Sequence, residues 1–441
     1  MGFLDNKIEE YRQRIIEYLK RDEFRPLFFL LIETISVFTF MFSAISPNRN
    51  LLSIVSPIPS VLSLLDKKNS SNEIFGFAPY WKFDNLNNVD FSVLTTFSYF
   101  GIPVNSDGTL DTTDQGYITF ESDKATKIFN KAHSNGTRVV LTLTNMDNSS
   151  IEQLLDNPDA QNEAISEAVK AVKDRGIDGI NIDFEYVGDP GDTYRSEFAD
   201  FVGKMRNHLH AQIPNSELSV SVYATSAKDP KIYDIAKLSK NSDKIFMMAY
   251  DFATTSSDQV MPTSPLYGYK QGEYWYDVST AVTDFLKVMP ADKLILGVPW
   301  YGYDYPVTSP GVKVAADGGY TYWYKYWISP WYWVWRQGYD TYPAKVQTYA
   351  SSKDVTATQS GWDNLGEVGW KAYKDENGNL REFFMEDSKS LGAKYDFAKS
   401  KNLGGIGIWA LGFDDNKSDM WQVLKDKFGE KLASANVGAV Q

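Results

Sequence analysis

Cysteine is missing from all 441 residues, which excludes disulfides, thiolate metal sites and a cysteine nucleophile together and leaves an oxidising compartment permissible. Histidine occurs only at 133, 208 and 210, on stretches of helical pattern. A histidine-rich metal site is therefore not expected, and His133, His208 and His210 read as surface or packing residues. No long basic run offsets the formal charge of -13, so nucleic acid is not an expected partner, whereas neutral sugars stay admissible. What the chain does have is apolar and aromatic material, at 43% and 15%, enough to bury at least one large core.

The first 72 residues differ from the rest. Residues 27–45, LFFLLIETISVFTFMFSAI, form an almost unbroken apolar and small-residue run that would extend about 28 Å as a helix, close to the hydrocarbon thickness of a bilayer. Glu33 is the one charge in it, and a buried globular helix is the competing reading. Six Lys or Arg precede the run, against Arg49, Lys67 and Lys68 just behind it, a bias that favours a cytoplasmic N-terminus. SAISPN is a poor cleavage site, so an uncleaved anchor is expected. The expected organisation is a cytoplasmic leader (1–26), a single-pass transmembrane helix (27–46), a Ser-, Pro- and Asn-rich stalk (47–72), an extracytoplasmic domain (73–430) and a short tail (431–441).

From residue 73 the chain alternates β-type runs with amphipathic stretches. IFGFAPYW, VLTTFSYFGI, RVVLTLTN, GINIDFE, ELSVSVYA, KIFMMAYD, LILGVPWYGY and GGIGIWALG make eight such runs, and segments such as 121–135, 158–175, 192–211 and 386–400 have helical patterning between them. Eight βα units predict an α/β fold, a (β/α)8 barrel, with a doubly wound sheet as competitor. The absence of a GxGxxG turn after the first run weakens that competitor.

Within the fourth run, Asn181, Asp183 and Glu185 alternate with Ile180, Ile182 and Phe184. Alternate strand residues face opposite sides, so the polar row points into the barrel and ends at the strand's C-terminal end, where barrel enzymes place their sites. A structural hydrogen-bond network would use the same residue types. Two crowded, partly buried carboxylates, however, raise each other's pKa and leave Glu185 able to donate a proton near neutral pH, which points to catalysis.

DGINIDFE resembles the DGxDxDxE signature of glycoside hydrolase family 18, the chitinase-like enzymes. FGFAPYW, MAYD (248–251), GVPWYGY (297–303) and GGIGIWALG (404–412) resemble, in order, that family's first, sixth, seventh and last strands. The resemblance implies that Glu185 is the general acid and base, that Asp183 supports a substrate 2-acetamido group acting as nucleophile, that Tyr250 donates to the acetamido carbonyl, and that Trp409 lies under the sugar. It further implies retention of configuration through an oxazolinium intermediate, a polysaccharide substrate with N-acetylated sugars, and no metal or other cofactor. Asn181 replaces the family's Asp at that position, which removes one partner with which Asp183 could share a proton; Asp251 joins it as a supporting residue. Tyr80, Asn145, Trp300 and Tyr303, at strand ends, are further expected sugar contacts.

TLTNMD at 142–147 stands in place of the strand-three SxGG of typical chitinases. With DGINIDFE and LGGIGIWALGFDD, it is more similar to the branch containing spore-cortex and peptidoglycan N-acetylglucosaminidases. Peptidoglycan and chitin both remain as substrates, and a catalytically silent, carbohydrate-binding relative is the alternative function. The long gap between the last two barrel runs predicts a small α+β insertion at about 304–385. Twelve aromatics at 318–343 are expected mainly as its core, two or three of them as sugar contacts.

Overall fold

A computed structural model describes residues 72–86, 88–317, 319–329, 332–341, 343–415 and 417–429. The expected leader, membrane span, stalk and tail lie outside these residues. Among the described residues, no helix is long and apolar enough to cross a membrane.

The β-type runs form Glu73–Pro79 (β1), Thr96–Pro103 (β2), Arg138–Asn145 (β3), Gly179–Phe184 (β4), Glu217–Tyr223 (β5), Lys244–Met248 (β6) and Leu294–Pro299 (β7). The next segment supplies Tyr301–Pro306 (β8), Gly319–Ser329 (β9), Tyr332–Thr341 (β10), Lys345–Thr348 (β11), Gln359–Asp363 (β12), Val368–Lys374 (β13) and Leu380–Met385 (β14). Gly405–Trp409 (β15) follows. Strands β1 to β7 and β15 close into an eight-stranded parallel barrel in the order β1-β15-β7-β6-β5-β4-β3-β2. The expected (β/α)8 architecture is thus observed.

The crossovers are helical because their sequences carry both a stripe and stop signals. In Pro158–Arg175, Asn157 caps the start by accepting from the Asp159 amide at 3.0 Å, proline occupies the first turn, and Gly176 ends the helix at φ 61°. Ala160, Ala164, Ala168 and Val172 form the buried stripe at a spacing of four.

Hydrophobic packing in the barrel falls into two layers, with a separate small cluster of Val260, Tyr305, Val307, Val368 and Phe384 in the insertion. Outward residues such as Ile74, Ile180, Ile182 and Phe184 join the helices, while Phe75, Phe77, Phe100, Val140, Phe246 and Ile295 fill the barrel interior. The Phe246 ring fits there because its neighbours have no side chain. A Cβ on Gly407 would stand 2.0 Å from the ring, and one on Gly297 2.6 Å. At the N-terminal end, Arg138 bonds Glu217 at 2.7 Å, and Thr96 donates to Glu73 at 2.6 Å. Burial and the adjacent Glu73 charge push the Glu217 carboxyl up to about 8, against the opposing pull of Arg138.

The seventh run divides after Pro299. Its second half, β8, leaves the barrel for a five-stranded antiparallel sheet, β11-β8-β14-β13-β12, which with the short helix Tyr349–Lys353 makes the α+β insertion. The described residues belong to a compact unit, Ser71–Gln441. It holds every barrel strand and both hydrophobic layers, so it carries the core needed to fold without the residues before it.

Candidate active site

Strand-end positions converge on one cavity of about 580 Å³ at the C-terminal mouth of the barrel, including Phe77 from β1, Phe100 from β2, Asp183 from β4, Tyr223 from β5, Met248 from β6 and Trp409 from β15, with Met146, Glu185, Tyr250 and Asp251 just beyond strand ends. Parity accounts for the convergence, because residues at alternate positions of each strand turn inward together.

Asn181 lies one layer below the cavity, fully buried. Its amide donates to Ser221 Oγ at 3.0 Å, and its carbonyl accepts from Ser219 Oγ at 2.9 Å, so β5 satisfies it. Asp183 is buried above it and receives a hydrogen bond from Ser221. Its Oδ1 has no hydrogen-bond partner among the described residues, which leaves an acceptor at the cavity. Burial first, and the Glu185 charge second, hold its carboxyl well above the usual carboxylate range.

Glu185 follows the last residue of β4 and is fixed from behind. Its amide donates to the Asn145 carbonyl at 2.9 Å, and the preceding Phe184 carbonyl accepts from the Tyr233 hydroxyl at 2.7 Å. Burial raises its carboxyl, a hydrogen bond from Tyr223 pulls it down, and the charge of Asp251 pushes it up. Two raised, interacting carboxyls hold one proton between them more readily than they lose both. Tyr250 stays a neutral phenol, since burial raises it well above its ordinary range and the surrounding carboxylates add to the effect. Asp251, at φ 59°, accepts from Tyr303 at 2.7 Å and from Tyr301, both on β8, and so ties the insertion to the cavity rim.

Trp409 is half-buried and packed nearly perpendicular to Phe100, with centroids 4.7 Å apart, while Phe77 lies 5.6 Å away. These three rings give the cavity an apolar floor.

The other expected sugar contacts are placed differently. Trp300 is fully buried with its ring against Trp421, 5.1 Å between centroids, because the chain has already turned out of the barrel toward β8. Asn145 donates to the Val104 carbonyl at 3.0 Å and to Ser150 Oγ at 2.9 Å, and supports Glu185 only through its backbone. Tyr80 packs on Trp81, and Tyr303 is occupied with Asp251; neither lines the cavity. Cavity residues that the motifs did not single out include Tyr223, Asp229, Lys231 and Trp275. Of these, Tyr223 had a usable signal, since it shares parity with Ser219 and Ser221 on β5.

The model of glycosyl hydrolases family 18 matches residues 71–414. The chain belongs to this family. As a family 18 member it is a glycosidase, similar to di-N-acetylchitobiase of Rattus norvegicus at 25% identity over 67% of this chain and 78% of that protein. It is also similar to the cortical fragment-lytic enzyme of Bacillus subtilis (strain 168), at 22% identity over 70% of this chain and 64% of the relative. Among solved structures, the Group IV chitinase of Ostrinia furnacalis in complex with allosamidin superposes with a TM-score of 0.66. It is 20% identical and covers 81% of this chain and 97% of its own, a likeness that speaks for the fold. Chitinase-like and cortex-lytic relatives together match the family and branch that the motifs resemble.

Proposed function

We propose that the protein is a retaining glycosidase that cleaves β-1,4-linked N-acetylglucosamine-containing polysaccharide, peptidoglycan before chitin, by substrate-assisted catalysis. The observation that carries this reading is the buried Asp183–Glu185 pair, sharing its cavity with the neutral phenol of Tyr250 above the Trp409 floor. In the first step Glu185 gives its proton to the glycosidic oxygen, the acetamido carbonyl oxygen attacks the anomeric carbon, and the bond to the leaving sugar breaks. Asp183 Oδ1 accepts from the acetamido N–H as positive charge develops on the oxazolinium ring, and Tyr250 donates to its oxygen before attack. In the second step the Glu185 carboxylate takes a proton from water, whose oxygen bonds the anomeric carbon on the face the leaving group left while the bond from that carbon to the oxazolinium oxygen breaks and the acetamido group re-forms. Configuration is retained and Glu185 regains its proton. Residues 27–46 anchor the enzyme, with the barrel outside the cytoplasm, where such polymers occur.

The test uses residues 71–441 with purified peptidoglycan and with chitin oligosaccharides, products being identified by mass spectrometry. Wild type is expected to release fragments ending in reducing N-acetylglucosamine, and Glu185→Gln to be slower by roughly a hundred- to ten-thousandfold. Equal binding of glycan by both proteins without cleavage by either would instead make this a lectin-like receptor.

A further inference from the structure

One part of the insertion, as far as its residues are described, stands apart from the catalytic cavity. Strands β9 and β10 pair antiparallel with each other and, among the described residues, with no other strand; none of their described side chains lines the cavity. The register places Trp323, Lys325, Trp333 and Trp335 on one face of this ribbon and Tyr324, Tyr326, Val334 and Arg336 on the other. All five of these aromatics are exposed, Trp323 by 62% and Trp335 by 61%. These five therefore lie outside the core that the sequence led one to expect for most of the twelve aromatics at 318–343.

Two-sided exposure narrows what the ribbon meets. A sugar platform presents rings on one face, and a second ribbon of like charge would be repelled. A bilayer interface wets both faces of a hairpin entering edge-on, and it favours Trp and Tyr, whose rings are apolar and whose N–H and O–H tips are polar. Charge selects the lipid. Across β9 and β10 the charged side chains are Lys325, Arg336 and, at the far end of the ribbon from its turn, Asp340, so the hairpin is net cationic in a chain whose net charge is -13. Lys325 Nζ sits 5.0 and 5.3 Å from the ring centroids of Trp333 and Trp335, and the Arg336 guanidinium sits 4.4 Å from that of Tyr326. An anionic surface attracts this cationic aromatic ribbon and repels the acidic remainder, which orients the molecule ribbon-first.

We propose that the β9–β10 hairpin docks on an anionic lipid surface through its two-faced aromatic ribbon and its two cations. The docking is independent of the glycosidase reading, and residues 71–441, which omit the candidate anchor, test it. Their sedimentation with phosphatidylcholine vesicles is compared with and without phosphatidylglycerol. Binding is expected to be about tenfold stronger with phosphatidylglycerol and to weaken with salt. Trp323→Ser with Trp335→Ser, and separately Lys325→Glu with Arg336→Glu, should each lower it about tenfold, leaving thermal melting and cleavage of soluble oligosaccharides unchanged. Absence of vesicle binding by the wild type, or equal binding by the variants, overturns the proposal. So does a loss confined to insoluble chitin or peptidoglycan, which would mark the ribbon as a polysaccharide platform.

Discussion

Burial and a phenol act in opposite directions on the Glu185 carboxyl, and that opposition can be measured. The Tyr223 hydrogen bond stabilises the carboxylate; in Tyr223→Phe the carboxyl keeps its proton to higher pH, so the alkaline limb of kcat/KM should move upward. Asp251 repels the carboxylate, and Asp251→Asn, which keeps an oxygen for Tyr301 and Tyr303, should move the same limb downward. Shifts of the same sign in both variants would contradict this arrangement. The positions of Asp183, Glu185, Tyr250 and Trp409 at one cavity were legible because strand parity and family motif agree on them. Trp300 was not, since parity within GVPWYGY assumes a strand that continues, and the chain leaves the barrel after Pro299. Asn145 illustrates a different limit. Its place at a strand end was readable, but its turn toward Val104 and Ser150 depends on a tertiary contact that spacing does not encode.

Among the elements, the barrel interior depends on Phe246 standing beside glycines of β7 and β15. Gly407→Ala sets a methyl against the ring and should cost about 1–3 kcal/mol, read as a lower Tm. Adding Phe246→Leu to it should recover part of the loss, giving a coupling of opposite sign to the single effects. Strict additivity of the two would mean that the ring does not fill the space the glycine leaves. The eight strands and the long helices were readable from their periods, and the helix 158–175 even to its ends, because Asn157, Pro158 and Gly176 are local signals. The insertion was readable as an element but not in its arrangement. Its five-stranded sheet has strand order β11-β8-β14-β13-β12, set by contacts up to about eighty residues apart in sequence. The aromatic ribbon shows the same limit, since density of rings does not say which faces are covered.

Taken as a whole, the molecule closes one barrel end with charge and opens the other for chemistry. Glu217, raised to about 8, binds a proton in the folded protein at pH values where the unfolded chain has lost it. Its contribution to stability is therefore fully present below the ordinary glutamate range and lost as pH rises toward 8. Glu217→Gln should flatten the fall in Tm between pH 5 and 8, and an unchanged slope would assign that fall to other groups. At the open end the central claim is that the substrate supplies its own nucleophile, since Asp183 and Glu185 are otherwise engaged in holding the acetamido group and moving the proton. The most direct test offers two oligosaccharides identical except at the sugar to be cleaved, one N-acetylated and one with a free amine, and measures single-turnover hydrolysis at saturating concentration. The N-acetylated substrate should be cleaved and the amine left intact although bound. Comparable cleavage of both would contradict substrate assistance and require a nucleophile from the protein.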